Sequence, residues 1–241
     1  YVINRVNQLY TVVVEFKAED PDTMQVIVTF VDPTNSNAQV GNTVVANATR
    51  NGTVAELDTT KLTAPTGWYV DDAAILYVPW SSTSAGTQNV KVTNLNTEIG
   101  GDSATISNTY VPAGTFGDGN ATITLENAVV NDRTLVNGTV EIDNGDSTIE
   151  RDGYLQVAQL NVKTDASLTI DGGLVIAAMK LENGSAITVG GATYTITSTN
   201  AIEVTFNDAG AGQDGYGTFW NGNGNGIWGE FPLSGGVVAM L

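Results

Sequence analysis

Chemistry near neutral pH needs a nucleophile or a titrating base, and this chain supplies few of either. It has no histidine and no cysteine. That removes the usual general base, the thiolate nucleophile, disulfides and the commonest transition-metal ligands. Carboxylates remain, in close pairs at Asp71 and Asp72, Asp143 and Asp146, Glu150 and Asp152, and Asp208 and Asp214. A retaining glycosidase would need two such carboxyls about 5–5.5 Å apart in one cleft, and spacing along the chain does not provide that. The expectation is a protein that is not an enzyme.

Hard-cation binding is the next chemistry to weigh. Asp143, Asn144, Asp146, Glu150 and Asp152 fall within ten residues around Gly145. Oxygen-rich, glycine-containing segments of this kind suit Ca²⁺. The spacing is not that of an EF-hand, which wants Gly at its sixth position and Glu at its twelfth. A solvated polar turn between strands is the plainer reading, and Ca²⁺ is the one cofactor that the composition admits.

Three further groups could carry recognition. Trp220 and Trp228 sit in a Gly/Asn-rich tail, residues 207–241, and flat apolar rings suit the face of a sugar. Asparagine followed by Ser or Thr at the second place occurs at Asn47, Asn51, Asn120, Asn137 and Asn183, which permits N-glycosylation in a secreted chain. The chain ends are apolar: Tyr1, Val2 and Ile3, then Tyr10, Val12, Val14 and Phe16 on one face of a strand, and Val237 and Val238 near the other end. Such segments cannot bury an apolar face alone. A strand added to another subunit's sheet edge would bury it.

Charge narrows the partners. Asp and Glu total 26 against 9 Lys and Arg, for a net charge of −17. Nine scattered cations cannot build a patch for a phosphate backbone, so nucleic acid is excluded. No run of 18 apolar residues exists in the sequence, so membrane insertion through a helix is not expected. The numbering begins at Tyr1 rather than Met, and the expectation is a processed, extracellular or cell-surface chain.

The elements that must position these groups are strands. Charged residues are only 15% of the chain, against about 25% in an average domain, and Thr, Asn, Gly and Val take their place. Apolar residues alternate or run in short β-branched blocks, such as residues 26–31 and 73–78, closed by Pro33 and Pro79. The chain divides into an N-terminal strand arm and acidic hinge (1–23), a first β domain (24–115), a repeat-containing β domain (116–206) and the tail with its terminal strand (207–241). Asp32, Gly41, Gly52, Gly67, Trp68 and Tyr69 fall where the small β-grasp-type repeats of bacterial surface proteins carry such residues. Residues 26–92 thereby resemble the mucin-binding-protein family. The resemblance implies a β-sandwich or β-grasp-like module associated with a wall or with glycans, and it transfers no catalytic residue.

The clearest internal signal is a repeat. At an offset of 19, Leu155, Val157, Leu160, Val162, Leu168 and Ile170 meet Leu174, Ile176, Met179, Leu181, Ile187 and Val189, and Gly172 meets Gly191. Leu135, Val140, Ile142 and Ile149 form a fainter earlier unit. A period near 20 with two short strands and Gly or Asn corners suits a rung of a parallel β-solenoid; two similar hairpins in a second β-sandwich remain the alternative. Residues 153–191 also resemble repeats of secreted bacterial β-solenoid adhesins, through Leu174, Ile176, Leu181, Asn183, Gly184, Ser185 and Ile187. The fold class expected is all-β. The function expected is a structural subunit of an extracellular filament, pilus or surface layer, a homopolymer joined by exchange of a terminal strand. A glycan-binding or adhesive module of a cell-surface or phage fibre protein is the alternative.

Overall fold

The structure, a computed structural model, describes residues 22–71, 73–99, 103–197, 199–205, 217–220, 230–233 and 236–239. It is almost entirely β, with a curled sheet followed by a solenoid-like coil of about five turns. Among the described residues no helix is long and apolar enough to cross a membrane.

The first part is one mixed sheet of β1 (Thr23–Asp32), β2 (Ala38–Gln39), β3 (Val44–Asn51), β4 (Val54–Asp58), β5 (Trp68–Val70), β6 (Ile75–Pro79) and β7 (Gly86–Asn94). The strand order is β5-β7-β1-β3-β4-β6, with β2 beside β1. Alternation on β1 turns Met24, Val26, Val28 and Phe30 inward, where they meet Ala48, Leu57, Val78, Val90 and Val92. Asp32 ends β1, and its carboxylate accepts the Thr34 amide at 2.8 Å. Gly52 turns β3 into β4 and Gly67 opens β5, both at positive φ. β5 and β6 stand at opposite ends of the strand order, yet residues 71–74 join them directly. The sheet must therefore curl back on itself into an incomplete barrel.

A five-residue helix, α1 (Leu95–Ile99), links barrel and coil. Leu95 and Tyr69 are both buried with the core of the coil. The Tyr69 hydroxyl donates to Glu98; burial, then that carboxylate, pushes the phenol well above its usual range.

The coil comprises β8 (Ser103–Ser107), β9 (Gly114–Glu126), β10 (Val129–Val130), β11 (Arg133–Ile142), β12 (Asp146–Ile149), β13 (Tyr154–Val162), β14 (Ser167–Ile170), β15 (Gly173–Leu181) and β16 (Ala186–Val189). β8, β9, β11, β13 and β15 stack in parallel as one sheet, and β10, β12, β14 and β16 as another. The predicted offset is the observed register: Leu155 lies opposite Leu174, Leu160 opposite Met179 and Leu168 opposite Ile187. The parallel stacking starts at β8, so residues 103–115 belong to the coil although the sequence reading groups them with the first domain.

Each long strand bends in the middle. In β13 the inward residues are Leu155 and Val157, then Leu160 and Val162, with exposed Ala158 between the pairs. A rung therefore has three short faces, the third being β14 with Leu168 and Ile170 inward. The corner before the third face takes positive φ at Asn127, Asn144, Asp165 and Gly184 in successive turns. The bend also corrects one expectation. Leu135 is only partly buried, and Thr134 and Val136 point inward, because β11 carries an extra residue between Val136 and Thr139 relative to β13.

The last rung is closed on all three faces. β19 (Gly217–Trp220) runs antiparallel to residues 173–176, β18 (Ile202–Thr205) to residues 178–181, and β17 (Ala192–Thr195) to β16. Beyond them β20 (Glu230–Leu233) and β21 (Gly236–Ala239) form an antiparallel pair.

Candidate assembly site: an unpaired seam

β6 and β7 follow one another in the chain, joined by residues 80–85. Strands so connected usually pair or lie side by side. These two do not pair: β6 is laddered only to β4, and residues 86–91 of β7 only to β1. β5 meets β7 farther along, at residues 92–94, and the Asp71 amide donates to the Lys91 carbonyl. Among the described residues, β6 and residues 86–90 of β7 thus each show a main-chain edge with no ladder partner, facing each other across a seam.

The seam pinches at its loop end. A Cβ placed on Gly86 would stand 2.6 Å from Val78 Cγ1 and 3.1 Å from Met24 Cε, so only glycine permits that approach. Its inner wall is apolar: Val78 and Val90 are each 3% exposed, and Leu76 is half-buried against the same core. Gln88 is half-buried on the same side of β7 as Val90. On the outer rim Ile75 and Tyr77 are 46% and 62% exposed. Large apolar side chains beside an unpaired edge are what natural sheets normally suppress.

Two other features of the surface bear on assembly. Among the described residues, β8 is laddered on one side only, to β9. On the outer face of the barrel Ile27 lies opposite Val45, and both are exposed.

The structure distributes the other predicted residues as follows. Tyr1, Val2, Ile3, Tyr10, Val12, Val14 and Phe16 lie outside the described residues, as do Asp72, Asp208, Asp214 and Trp228. Val237 and Val238 lie on β21, opposite Pro232 and Phe231 of the same chain, so one edge of that strand is already used. Trp220 lies opposite Gly173 on the strand that covers the last rung. Asn47, Asn51, Asn120, Asn137 and Asn183 are all exposed.

The acidic segment is not one loop. Asp143 and Asn144 sit at the corner before β12, Asp146 begins that strand, and Glu150 and Asp152 lie beyond its end. Four residues of strand hold the two groups about 13 Å apart. Asp146 is engaged elsewhere: Ser167 Oγ donates to its carboxylate, and its amide donates to Asn127 Oδ1 at 3.0 Å. Among the described residues no group of three or more acidic side chains is placed to hold a metal ion.

The seam residues themselves were not singled out in the sequence. The available signal was the spacing: a β-branched block ending at Pro79, Trp80 and five polar or small residues, then a second block ending in Val90 and Val92. That pattern reads as an ordinary hairpin, whereas in the structure the two strands are splayed. No family model matches this chain, and neither a curated protein nor a solved structure does.

Proposed function

We propose that this chain is a structural subunit of an extracellular filament, pilus or surface layer, joined to copies of itself by exchange of a terminal β-strand. The observation that supports the reading is the seam, where β6 and residues 86–90 of β7 show, among the described residues, main-chain edges with no ladder partner beside an apolar wall. An added strand satisfies the free N–H and C=O groups and covers the wall at once.

Such a join balances burial against lost freedom. Burying Tyr10, Val12, Val14 and Phe16 is worth about 1.5–3 kcal/mol for each side chain. Lost translational and rotational freedom costs about 4–15 kcal/mol, so the net gain comes from the four side chains together with the ladder. The arm precedes β1, and the paired β21 is the less available of the two chain ends.

Deletion of residues 1–16 tests the reading. Negative-stain imaging and sedimentation should show loss of assemblies, and circular dichroism should show the β body intact. Assemblies that persist after the deletion would overturn it.

A further inference from the structure

We infer that β5 is a joint that fuses barrel and coil into one unfolding unit, and that the Tyr69 ring is the part that locks it. The inference is independent of how copies of the chain assemble.

β5 is three residues long, and its two faces belong to two different cores. Tyr69 is 5% exposed and lies in the core of the coil with Leu95, Ala104 and Ile106. Val70, the next residue, is buried in the core of the barrel, and Trp68 packs against that same core. Successive strand residues point to opposite sides, so one strand serves as a wall of both. Its partner β7 divides in the same way. Val90 and Val92 lie in the barrel core, and Leu95, one residue past the end of β7, lies in the core of the coil.

A stack of rungs buries each face only against its neighbours, so both ends need a cover. β17, β18 and β19 cover the last rung. At the first rung α1 packs against β8 and β9, with Tyr69 and Leu95 buried in the same core. The coil borrows this end cover from the barrel.

The connection has no slack. β7 ends at Asn94 and α1 begins at Leu95. Asn94 Oδ1 accepts the Thr97 amide at 3.1 Å, as a helix N-cap does, and the Leu95 amide donates to the Gly67 carbonyl at 3.0 Å. The Tyr69 hydroxyl donates to Glu98 and so ties β5 to the last turn of the helix. Separable domains divide at flexible linkers that few contacts cross. Here the helix is bonded at its start and near its end to the β5 side of the barrel.

Hydrogen exchange of the full chain, read by mass spectrometry across a urea series, follows both halves at once. Residues 24–31 report the barrel and residues 121–126 the early rungs. In the native chain the two regions are expected to open at one shared midpoint. Val70→Ala, a truncation on the barrel side of β5, should lower both midpoints together. Tyr69→Ala should separate them, with at least a ~10-fold difference in exchange between the two regions, because a buried ring is lost from the shared wall. Tyr69→Phe keeps the ring and should keep one midpoint. Two midpoints in the native chain, or a Val70→Ala effect confined to residues 24–31, would overturn the joint, and neither result requires Tyr69→Ala to fold. A midpoint still shared in Tyr69→Ala, or a split already present in Tyr69→Phe, would overturn the ring as the lock.

Discussion

Gly172 is the position where a single methyl group should do most damage to the coil. A Cβ built there lies 2.1 Å from the Glu150 carbonyl oxygen and 2.4 Å from the Gly153 carbonyl oxygen. Both atoms are main chain, and both are in use: the Glu150 carbonyl accepts the Gly153 amide at 2.8 Å, and the Gly153 carbonyl accepts the Gly173 amide at 2.9 Å. Gly172→Ala must push two rungs apart at this corner. Overpacking costs about 1–3 kcal/mol, and weakening two main-chain bonds adds about 0.5–1.5 kcal/mol each. Reduced freedom of the unfolded chain returns about 0.4–1 kcal/mol. The net loss is about 1–5.6 kcal/mol, or roughly 2–22 °C in thermal midpoint for a chain of this size. Gly190→Ala is the comparison. Its φ is 58° and nothing lies within 4 Å, so only the left-handed backbone opposes the change, at about 1–2 kcal/mol before the same offset. Thermal and urea unfolding followed by circular dichroism measures both. Equal midpoints for the two variants, or an undisturbed Gly172→Ala, would refute the close stacking of these corners.

Three further outcomes are expected. Thr109 is 2% exposed and its hydroxyl has no hydrogen-bond partner among the described residues, so Thr109→Val should hold or raise the unfolding midpoint, because an orphaned buried hydroxyl costs about 1–3 kcal/mol; a clear drop would show that the hydroxyl has a partner. Burial opposes ionisation of Glu182, but hydrogen bonds from Thr164 and the nearby Lys163 ammonium outweigh it and hold the carboxyl below its ordinary 4.5. A depressed carboxylate stabilises above its unfolded value and loses that contribution as pH falls through the folded one. The midpoint difference between the native chain and Glu182→Gln should therefore be constant from neutrality down to about pH 5 and shrink below 4.5; a difference that widens on acidification would contradict the pairing. Each copy carries −17, so light scattering should show assembly at lower protein concentration when salt rises and the screening length falls from about 30 Å at 0.01 M to about 8 Å at 0.15 M; insensitivity to salt would argue against contact between like-charged bodies.

The coil was legible in the sequence because its physics is local and repeated. Leu155, Leu160 and Leu168 recur as Leu174, Met179 and Ile187 since each inward residue must match its neighbour one rung away. Leu135 misled for the same reason: one extra residue in β11 moves it to the outer face, and period-two patterning cannot see a bulge. In the barrel, Asp32, Gly52 and Gly67 mark turns whose local geometry demands those residue types. The curl was not legible, because the parallel pairing of β1 with β7 joins residues sixty apart and leaves no local signature. The acidic segment read as a loop because Asp143, Asp146 and Glu150 are close in number; β12 stretches them apart. The seam escaped notice because an absent ladder leaves no trace in composition.

The three strands that seal the final rung separate the coil's length from its termination. The internal rungs stack strand on strand in parallel, and among the described residues the closing strands are laddered only to β15 and β16 of the last rung. A tandem duplication of the 19-residue unit that ends at Gly191 would lengthen the rod by ~4.8 Å and shift the same lid outward unchanged. Rod length is thus a quantity that unequal recombination can adjust in whole steps, while the barrel at the other end stays as it is.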